Sequence, residues 1–482
     1  MTSQDPPFHT LHFGQIDANQ EAIDEPSLLT DGYFDYRDAA YGVKSLRTWA
    51  LLGPKGSGKS AVLKHIELSW ANRYDRFFTY WSLASFPVND VTRIETGQSA
   101  GGSRAQSVWE FLLILRLVQS LNEDQSVSAP GSFGEMSQAL KRGGYLPGDW
   151  LSSVVKWTSS KLKFDAKVVG AEANFDSASI TPLEVTSYLK QQISFVRTEN
   201  KHVLALDGLD SFFFESNDEW NSLAGLVQAV YALNTEFRSM DLPIAVVVAV
   251  RSDIFDVLPG AEVNKLTPYA TYLDWHANGI GSRNNLWNLL TAKASVARPE
   301  VRNIVTQYLG TPIAIGPHTE IPEFLLDNTR LIPRDAVALM GYLQRCYKGN
   351  KSVTELSVKR AVQLYAEEYF VGEIFDNLAG VLPSRRAREL ASFKDALRTV
   401  PSRIFTVNDL QVELEGELEP FEVKRLLKQM FETGGIGIHN RGYTDFMFRK
   451  VSGAGFTTRY EFMLHDALTR AWNRPWRDRN RG

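Results

Sequence analysis

The sequence predicts an α/β fold in which a parallel sheet carries helices on both faces and is followed by a helical segment and a C-terminal domain. Three observations support this prediction. Short apolar runs alternate with amphipathic stretches in the first part of the chain, a glycine-rich turn joins the first run to a helix, and helical periodicity takes over beyond residue 284. The 482 residues are enough for several domains.

The composition is that of an ordinary globular protein. Hydrophobic residues make up 44% and charged residues 22% of the chain, which excludes the disordered, collagen-like and coiled-coil classes. A single cysteine, Cys346, excludes an internal disulfide framework and a cysteine-based zinc site. The apolar stretch 243–250 is far shorter than a membrane span, and residues 1–12 lack a signal-peptide pattern. We therefore expect a cytoplasmic protein with no membrane contact.

The predicted sheet lies in residues 41–283, the core domain, and residues 1–40 form a separate N-terminal segment. The apolar runs and amphipathic stretches of the core are 48–52, 60–73, 76–83, 108–121, 181–196, 202–206 and 244–250. Because the strands are apolar throughout, they are typical of a parallel sheet that is buried on both faces. Leu286, Leu289, Leu290 and Ala294 then recur at helix spacing, which predicts a helical lid over residues 284–383.

Residues 384–473 predict a winged-helix domain, because helical stretches are followed by a hairpin, and residues 474–482 form a basic tail. The predicted elements are helices at 385–399, 406–414 and 420–433, a strand at 443–451 and a last helix at 460–472. Helix spacing in 420–433 predicts a buried face and a solvent face. The buried face comprises Phe421, Leu426, Leu427, Met430 and Phe431, and the solvent face comprises Lys424, Arg425 and Lys428.

A phosphate-binding loop follows the first strand. Residues 53–60 fit the pattern G-x-x-x-x-G-K-[ST] in full, and a helix starts at Lys59. Glycines let backbone N–H groups turn towards phosphates, Lys59 reaches the β- and γ-phosphates, and the Ser60 hydroxyl is a Mg²⁺ ligand. The predicted cofactor-binding residues of the loop are Gly53, Pro54, Lys55, Gly56, Ser57, Gly58, Lys59, Ser60 and Ala61. The motif and its context predict a P-loop NTPase sheet that binds ATP and Mg²⁺.

Two acids close the apolar run 202–206. Asp207 ends the predicted strand and can hold Mg²⁺, while Asp210, three residues further on, could orient or deprotonate the attacking water. The alternative is a core strand whose terminal Asp caps the next turn. Lys59 upstream favours the Mg²⁺ role for Asp207, and the catalytic role of Asp210 stays open.

Three arginines lie in two further segments of the chain where phosphate could be sensed. Arg251 ends the strand 244–250, at the edge where parallel sheets bind ligands, although it could instead pair with Asp253 or Asp256. Arg330 and Arg334 lie near the start of a predicted helix. One of these two could reach phosphate, and a solvated charge cluster is the alternative, more so for Arg330.

Several segments together resemble a group of bacterial standalone P-loop ATPases related to the STAND and AAA+ ATPases. The segments are His12-Phe13-Gly14, GPKGSGKS, LALDGLD, AVRSDIFDVL, Val263-Asn264-Lys265, Leu273-Asp274-Trp275, TRLIPRD and FMFRK followed by FMLHDAL. The resemblance implies that Phe13 and Gly14 lie against the adenine and that Arg251 and Arg334 act as first and second sensors. The sequence departs from the usual AAA+ pattern of adjacent Asp and Glu, because Gly208-Leu209 separates two Asp residues, which is nearer the STAND pattern and argues against fast turnover. The resemblance also implies a role in phage defence.

Two functions compete. The first is a Mg-dependent ATPase that acts as a switch, forms a homo-oligomer and controls a protein effector partner. The second is a DNA-binding ATPase similar to the archaeal origin-recognition proteins, with DNA held by the winged helix. From residue 385 onward, 18 lysines and arginines stand against 13 aspartates and glutamates, which favours the second, but glutamates dilute the cationic face of helix 420–433. We therefore rank DNA below protein contact, and we find no acceptor site for a third reading, a metabolic kinase.

Overall fold

The computed structural model describes residues 5–84, 86, 102–146, 182–209, 217–260, 263–278, 281–349, 352–378, 381–449 and 455–474. The chain forms two compact units. The α/β unit contains residues 35–55 and 59–273, and the helical unit contains residues 1–34, 56–58 and 274–482. The tip of the phosphate-binding loop thus belongs to the helical unit, while the flanking strand and helix belong to the α/β unit.

The strands and helices are numbered in chain order over the described residues. The strands are β1 (Ala50–Gly53), β2 (Arg76–Ser82), β3 (Lys201–Asp207), β4 (Ile244–Arg251), β5 (Ala270–Tyr272), β6 (Pro312–Ile315), β7 (His318–Glu320), β8 (Ile404–Phe405), β9 (Ile436–Asn440), β10 (Tyr443–Asp445) and β11 (Glu461–Leu464). The helices of the first half are α1 (Ala18–Asp24), α2 (Pro26–Thr30), α3 (Ala39–Lys44), α4 (Lys59–Trp70), α5 (Gly102–Glu123), α6 (Gly131–Arg142), α7 (Pro182–Ser194), α8 (Asn217–Ser239) and α9 (Ser252–Phe255). Those of the second half are α10 (Asn285–Ala297), α11 (Ile304–Tyr308), α12 (Ile321–Asp327), α13 (Pro333–Cys346), α14 (Glu355–Tyr365), α15 (Val371–Asp376), α16 (Ala387–Thr399), α17 (Val407–Glu413), α18 (Pro420–Glu432) and α19 (Asp466–Ala471).

The α/β unit is built on a five-stranded sheet in the order β2-β3-β4-β1-β5, with every neighbouring pair parallel. The central strand β4 is rich in valine and is buried at every residue but its last. Such a strand needs cover on both faces, which the helices supply. Helices α5 and α8 pack together on one layer, where the buried Trp109 Nε1 donates to the carbonyl of Ser222 at 2.9 Å. The predicted parallel α/β sheet is confirmed.

The helical unit begins with the N-terminal segment, which packs on the helices that follow the sheet. Phe8 is fully buried and lies 5.6 Å from the Tyr308 ring, between ring centroids, and the Tyr308 hydroxyl donates to the carbonyl of Pro6 at 2.8 Å. Helix α14 runs through a π-helical turn, Ala366–Phe370, into α15. The predicted helical segment is confirmed.

The C-terminal part of the helical unit places α16, α17 and α18 beside a four-stranded antiparallel sheet in the order β10-β9-β11-β8. This is the arrangement of a winged-helix domain. The predicted last helix, 460–472, is wrong in its first half, because residues 461–464 form β11 between β9 and β8 and only α19 is helical. Burial in β11 alternates with period two, at Phe462 and Leu464, which is the pattern of a strand. Of the predicted strand 443–451, β10 is confirmed, a 3-10 turn at Met447–Arg449 follows it, and residues 450 and 451 lie outside the described residues.

The division of helix α18 into two faces is correct except at one residue. Leu426, Leu427, Met430 and Phe431 are buried, whereas Phe421 is 62% exposed. Glu422 is buried in its place, because its side chain accepts from the backbone N–H of Glu419 in a capping box and pairs with Arg386. The predicted solvent face, residues 424, 425 and 428, is exposed. In the part of the chain that the structure describes, every helix is too short or too polar to cross a bilayer.

Candidate nucleotide site

The phosphate-binding loop joins β1 to α4, as the sequence predicts. Gly56 and Gly58 adopt positive φ angles of 84° and 98°, a backbone region that favours glycine. A Cβ atom on Gly56 would also lie 3.0 Å from both Arg334 Cβ and Ile332 Cδ1. Conformation and space therefore both require glycine at the position that brings the loop backbone close to a ligand.

Lys59 is the lysine that the motif assigns to the phosphates. Its side chain is buried, and Nζ donates to the carbonyl oxygens of Gly53 at 3.1 Å and Pro54 at 3.2 Å. The two backbone carbonyls thus hold the ammonium group against the loop. Ser60 and Ala61 follow in the first turn of α4, where helix N–H groups and the positive end of the helix dipole favour an anion.

Three strand ends bring two charged residues and the phosphate-binding loop to one edge of the sheet. Asp207 ends β3, Arg251 ends β4, and Gly53 ends β1 in register with Arg251. Because β4 lies between β3 and β1, the carboxyl ends of these three strands are adjacent. The α/β unit therefore assembles the acid, the arginine and the phosphate-binding loop at the edge where parallel sheets bind ligands.

Both oxygens of the Asp207 carboxylate accept a hydrogen bond. The backbone N–H of Gly208 donates to Oδ1 at 2.8 Å, and the Tyr80 hydroxyl donates to Oδ2 at 2.9 Å. Asp207 is only 4% exposed, so these bonds replace hydration that burial removes. Sequence reasoning missed Tyr80, since a tyrosine within an apolar strand carries no signal of its own.

Arg251 makes a two-pronged ion pair with Asp253. Its Nε donates to Oδ1 at 3.1 Å, and its Nη2 donates to Oδ2 at 2.6 Å. This is the pairing that the sequence set against a phosphate-sensing role. A sensor role requires Arg251 to exchange this partner for a phosphate.

Arg334 lies at the start of α13, and its backbone and side chain have different partners within the helical unit. Its N–H donates to the carbonyl of Gly56 at 3.3 Å, so the helix start touches the tip of the phosphate-binding loop. Its guanidinium donates from Nε to the carbonyl of Ile16 at 3.3 Å, and Nη1 lies 3.8 Å from Glu373. The side chain is about a quarter exposed and is therefore accessible.

Arg330 differs from one of the alternatives that the sequence offered for it, the solvated charge cluster. It is buried, and it pairs with Asp335 at 2.6 Å and with Glu373 at 3.3 Å. Burial opposes its charge, but the Asp335 carboxylate outweighs burial and raises the pKa of Arg330. The expectation of a solvated cluster is therefore wrong for Arg330, because its guanidinium is buried and paired with two acids.

The N-terminal segment is fixed by a buried ion pair. Lys293 on α10 pairs with Glu21 on α1, and Glu21 Oε2 accepts from the backbone N–H of Gln15 at 2.6 Å. Gly14 adopts a φ of 89°, and a Cβ there would clash with Glu21 and Lys293. Phe13 is buried, 5.6 Å from Phe8 between ring centroids. The backbone that carries the predicted adenine-binding residues is therefore held in place by these contacts. Asp210, the predicted catalytic acid, lies outside the described residues.

The residues at this edge fit Mg²⁺ and a polyphosphate. The Ser60 hydroxyl and the Asp207 carboxylate supply hard oxygen donors, which Mg²⁺ prefers, and Lys59 with the loop N–H groups supplies the charge that phosphates need. Among the residues that the structure describes, the buried Ser57 hydroxyl has no hydrogen-bond partner, while Trp275 Nε1 fixes the carbonyl of Ser57 at 2.9 Å. The loop thus contains a buried polar group without a protein partner.

No protein-family model and no curated protein matches the chain. Solved structures do match. One is a Walker-type ATPase of Pyrococcus abyssi, with 12% identity, coverage of 91% of this chain and 95% of that chain, and a TM-score of 0.40. Another is Cdc6p from Pyrobaculum aerophilum, with 12% identity, coverage of 93% of this chain and 98% of that chain, and a TM-score of 0.33.

Proposed function

We propose that the chain is a Mg²⁺-dependent ATPase that works as a slow molecular switch. One observation carries the proposal: adjacent strand ends of the α/β unit bring Asp207 and Arg251 beside the loop that holds Lys59. A buried cation over a glycine loop, next to a buried carboxylate at the same sheet edge, suits a nucleoside triphosphate with its metal ion.

Each residue has a separate task in this proposal. Lys59 leaves the carbonyls of Gly53 and Pro54 to bind the β- and γ-phosphates, and the N–H groups of the loop and of α4 bind the remaining oxygens. Ser60 and Asp207 hold Mg²⁺, which when bound neutralises charge that develops on the phosphates. Asp210 orients the attacking water, and Arg251 or Arg334 senses the γ-phosphate.

The proposed slow turnover is supported by the residues after Asp207. Gly208 has a φ of 86° and no side chain, and the following Leu209 is buried. The position next to the Mg²⁺ ligand therefore holds no second carboxylate that could activate water. Bound ATP should therefore be hydrolysed slowly and persist in the site, which suits a switch.

Phosphate release from Mg-ATP tests the assignment. We expect Asp207→Asn and Asp210→Asn each to lower hydrolysis, by about 100-fold, with Asp207→Asn also weakening the dependence on Mg²⁺. Nucleotide should remain bound to the Asp210→Asn protein. Hydrolysis at the parent rate in both variants would remove these acids from the active site.

Assembly into a homo-oligomer is part of the proposal, because Arg251 is paired with Asp253 and Arg334 is bonded to Ile16 in this structure. An arginine from a second copy of the chain could then complete the site. We expect a non-hydrolysable ATP analogue to raise the mass measured by light scattering at micromolar protein. A protein that stays monomeric with the analogue would contradict the proposed assembly. Control of an effector protein, in the phage-defence setting that the sequence resemblance implies, is the role proposed for the assembled form.

Binding of DNA by the winged helix is the second candidate function. Lys424, Arg425 and Lys428 are exposed on α18, beside the buried side of the helix, and a cationic helix face is what a DNA groove accepts. However, Lys428 Nζ lies 3.6 Å from Glu432, so part of this charge is compensated. We expect protein contact to outrank DNA. A micromolar DNA affinity at physiological salt, with a salt slope that falls when the three residues are changed to alanine, would reverse that order.

A further inference from the structure

Tyr80 links the Mg²⁺ side of the proposed site to the strand next to β3. It lies on β2 and pairs in register with Ala205, two residues before Asp207. Its hydroxyl donates to Asp207 Oδ2 at 2.9 Å, while the Gly208 N–H holds Oδ1 at 2.8 Å. One hydrogen bond at each oxygen fixes the rotation of the carboxylate. The bond at Oδ1 comes from the backbone, and the bond at Oδ2 comes from the Tyr80 side chain.

The Tyr80 ring is itself held by the helix that carries the phosphate-binding lysine. Lys64 Nζ lies 3.7 Å from the ring centroid and donates to Glu67 Oε2 at 2.7 Å. Lys64 follows Ser60 by four residues on α4, so both face the same side of the helix. A cation over an aromatic face withdraws electron density, which makes the phenol hydroxyl a better donor to the carboxylate. Helix α4, Tyr80 and Asp207 therefore form one connected row.

We propose that Tyr80 is a positioning residue for the Mg²⁺ carboxylate and that Lys64 supports it; this rests on the proposed function of Asp207. A carboxylate that already has a fixed orientation loses little freedom when it takes up a metal ion, so the metal binds more tightly. Without the hydroxyl, Asp207 Oδ2 would lose its Tyr80 partner and the carboxylate could turn. We expect the consequence to fall on Mg²⁺ more than on the phosphates, because the Tyr80 hydroxyl donates to Asp207, the proposed Mg²⁺ ligand, whereas the carbonyls of Gly53 and Pro54 hold Lys59.

The test measures the gain in nucleotide affinity that Mg²⁺ provides. A non-hydrolysable ATP analogue is titrated into the full chain by calorimetry, once with Mg²⁺ and once with EDTA, so that no turnover is needed. In Tyr80→Phe, we expect the Mg²⁺-dependent gain to fall about tenfold while the affinity in EDTA stays at the parent value. Tyr74→Phe, the same change at a 95% exposed tyrosine just before β2, should leave both affinities unchanged.

The outcomes separate the two proposals. A parent chain that does not bind the analogue, or binds it without any gain from Mg²⁺, overturns the proposed function. A parent with that gain and a Tyr80→Phe variant that keeps it overturns only the role of Tyr80. A merely structural role would weaken binding equally with and without Mg²⁺, and that result also overturns it. If Tyr80→Phe does not fold, Lys64→Met must show a smaller loss of the Mg²⁺ gain, and an unchanged gain contradicts the proposal.

Discussion

The two ends of strand β3 both carry a buried polar group, and they differ in how those groups are satisfied. At the amino end, His202 is fully buried, and its ring contacts Ser120 Oγ at 2.9 Å and Asp124 Oδ2 at 3.2 Å. At the carboxyl end, Asp207 accepts from Tyr80 and from its neighbouring backbone N–H. The first group sits in a closed network, and the second stands beside a glycine loop.

The amino-end network is complete around Asp124. Besides His202, this carboxylate accepts from the side chains of Thr198 at 2.8 Å and Asn200 at 2.9 Å, and from the backbone N–H of Ser126 at 2.8 Å. Burial opposes its ionisation, but the bonds from Ser126, Thr198 and His202 outweigh burial and lower the pKa of Asp124 to about 2. Such a network stabilises the fold, because its hydrogen bonds replace the hydration that burial removes.

Burial of an acid therefore does not identify a functional site. Asp124 and Asp207 are 5% and 4% exposed, yet only Asp207 lies at the carboxyl edge, next to the loop that can bind phosphate. We conclude that position in the sheet distinguishes them. Four changes test whether the amino end serves stability and the carboxyl end serves ligand binding.

The largest effect is expected at the carboxyl edge. Lys59→Ala should weaken ATP binding by about 100-fold or more, because the loop loses the ammonium group that would contact the phosphates. Calorimetric titration of ATP into the folded variant measures this loss. Hydrogen exchange of peptides covering β3 should match that of the parent protein. An unchanged ATP affinity would contradict the assignment of ligand binding to the carboxyl edge.

The next effect belongs to the amino end. Asp124→Ala should lower the free energy of unfolding of the α/β unit by about 3 kcal/mol, because it leaves His202 and four other donors, two of them on Ser126, without their buried acceptor. Native-state hydrogen exchange of β3 peptides localises the loss to this unit. Affinity for the ATP analogue should remain within about twofold once the protein is folded. A loss of nucleotide affinity without a loss of stability would reverse the roles of the two ends.

The pH dependence of stability should also come from the amino end. Burial lowers the pKa of His202 from 6.5, against the opposing pull of Asp124, so the folded chain resists a proton that the unfolded chain accepts. Stability should therefore fall as the pH drops from about 7.5 to 5.5, and fall again below about 4 as the unfolded form of Asp124 takes up protons. The denaturation midpoint measured against pH, in the parent and in His202→Gln, checks the upper window. The matched change His318→Gln, at a buried histidine of the helical unit, should leave the loss of stability between about pH 7.5 and 5.5 unchanged in the α/β unit.

The smallest effect is the stability change at the carboxyl end itself. Asp207→Asn should alter the free energy of unfolding by less than about 1 kcal/mol, because the amide oxygen can still accept from the Gly208 N–H while the amide NH2 group donates to the Tyr80 hydroxyl, which can accept. The denaturation midpoint of the α/β unit measures it. A loss as large as that of Asp124→Ala would mean that Asp207 is a structural residue too.

The sequence predicted the features that a local pattern determines. The phosphate-binding loop, the strands that end at Asp207 and Arg251, and the parallel sheet all follow from contiguous residues. The strand β11 was mistaken for helix because its pairing with β8 and β9 is distant in sequence and overrides local propensity. Phe421 was mistaken for a core residue because the capping role of Glu422 sets which side of the first turn is buried.

The partners of single side chains were also beyond the sequence. Nothing near Tyr80 indicates that its hydroxyl reaches a residue 127 positions away in the chain. The ion pairs of Arg251 and Arg330 depend on distances that spacing does not define, so the sequence could offer only alternatives for them. Periodicity predicted most of the buried face of α18, but the contacts of single side chains decided the burial of Glu422 and Arg330.

The order of the five-stranded sheet also has a consequence for synthesis of the chain. Strand β1 lies between β4 and β5, and Ala50 pairs with Ala270, so the phosphate-binding strand waits for partners that are translated roughly 200 residues later. At bacterial or eukaryotic rates of about 5 to 20 residues per second, that is roughly 10 to 40 s with two open strand edges at the ribosome. Strand β1 is therefore open to mispairing during translation, and a ribosome that stalls before residue 270 leaves it without β5.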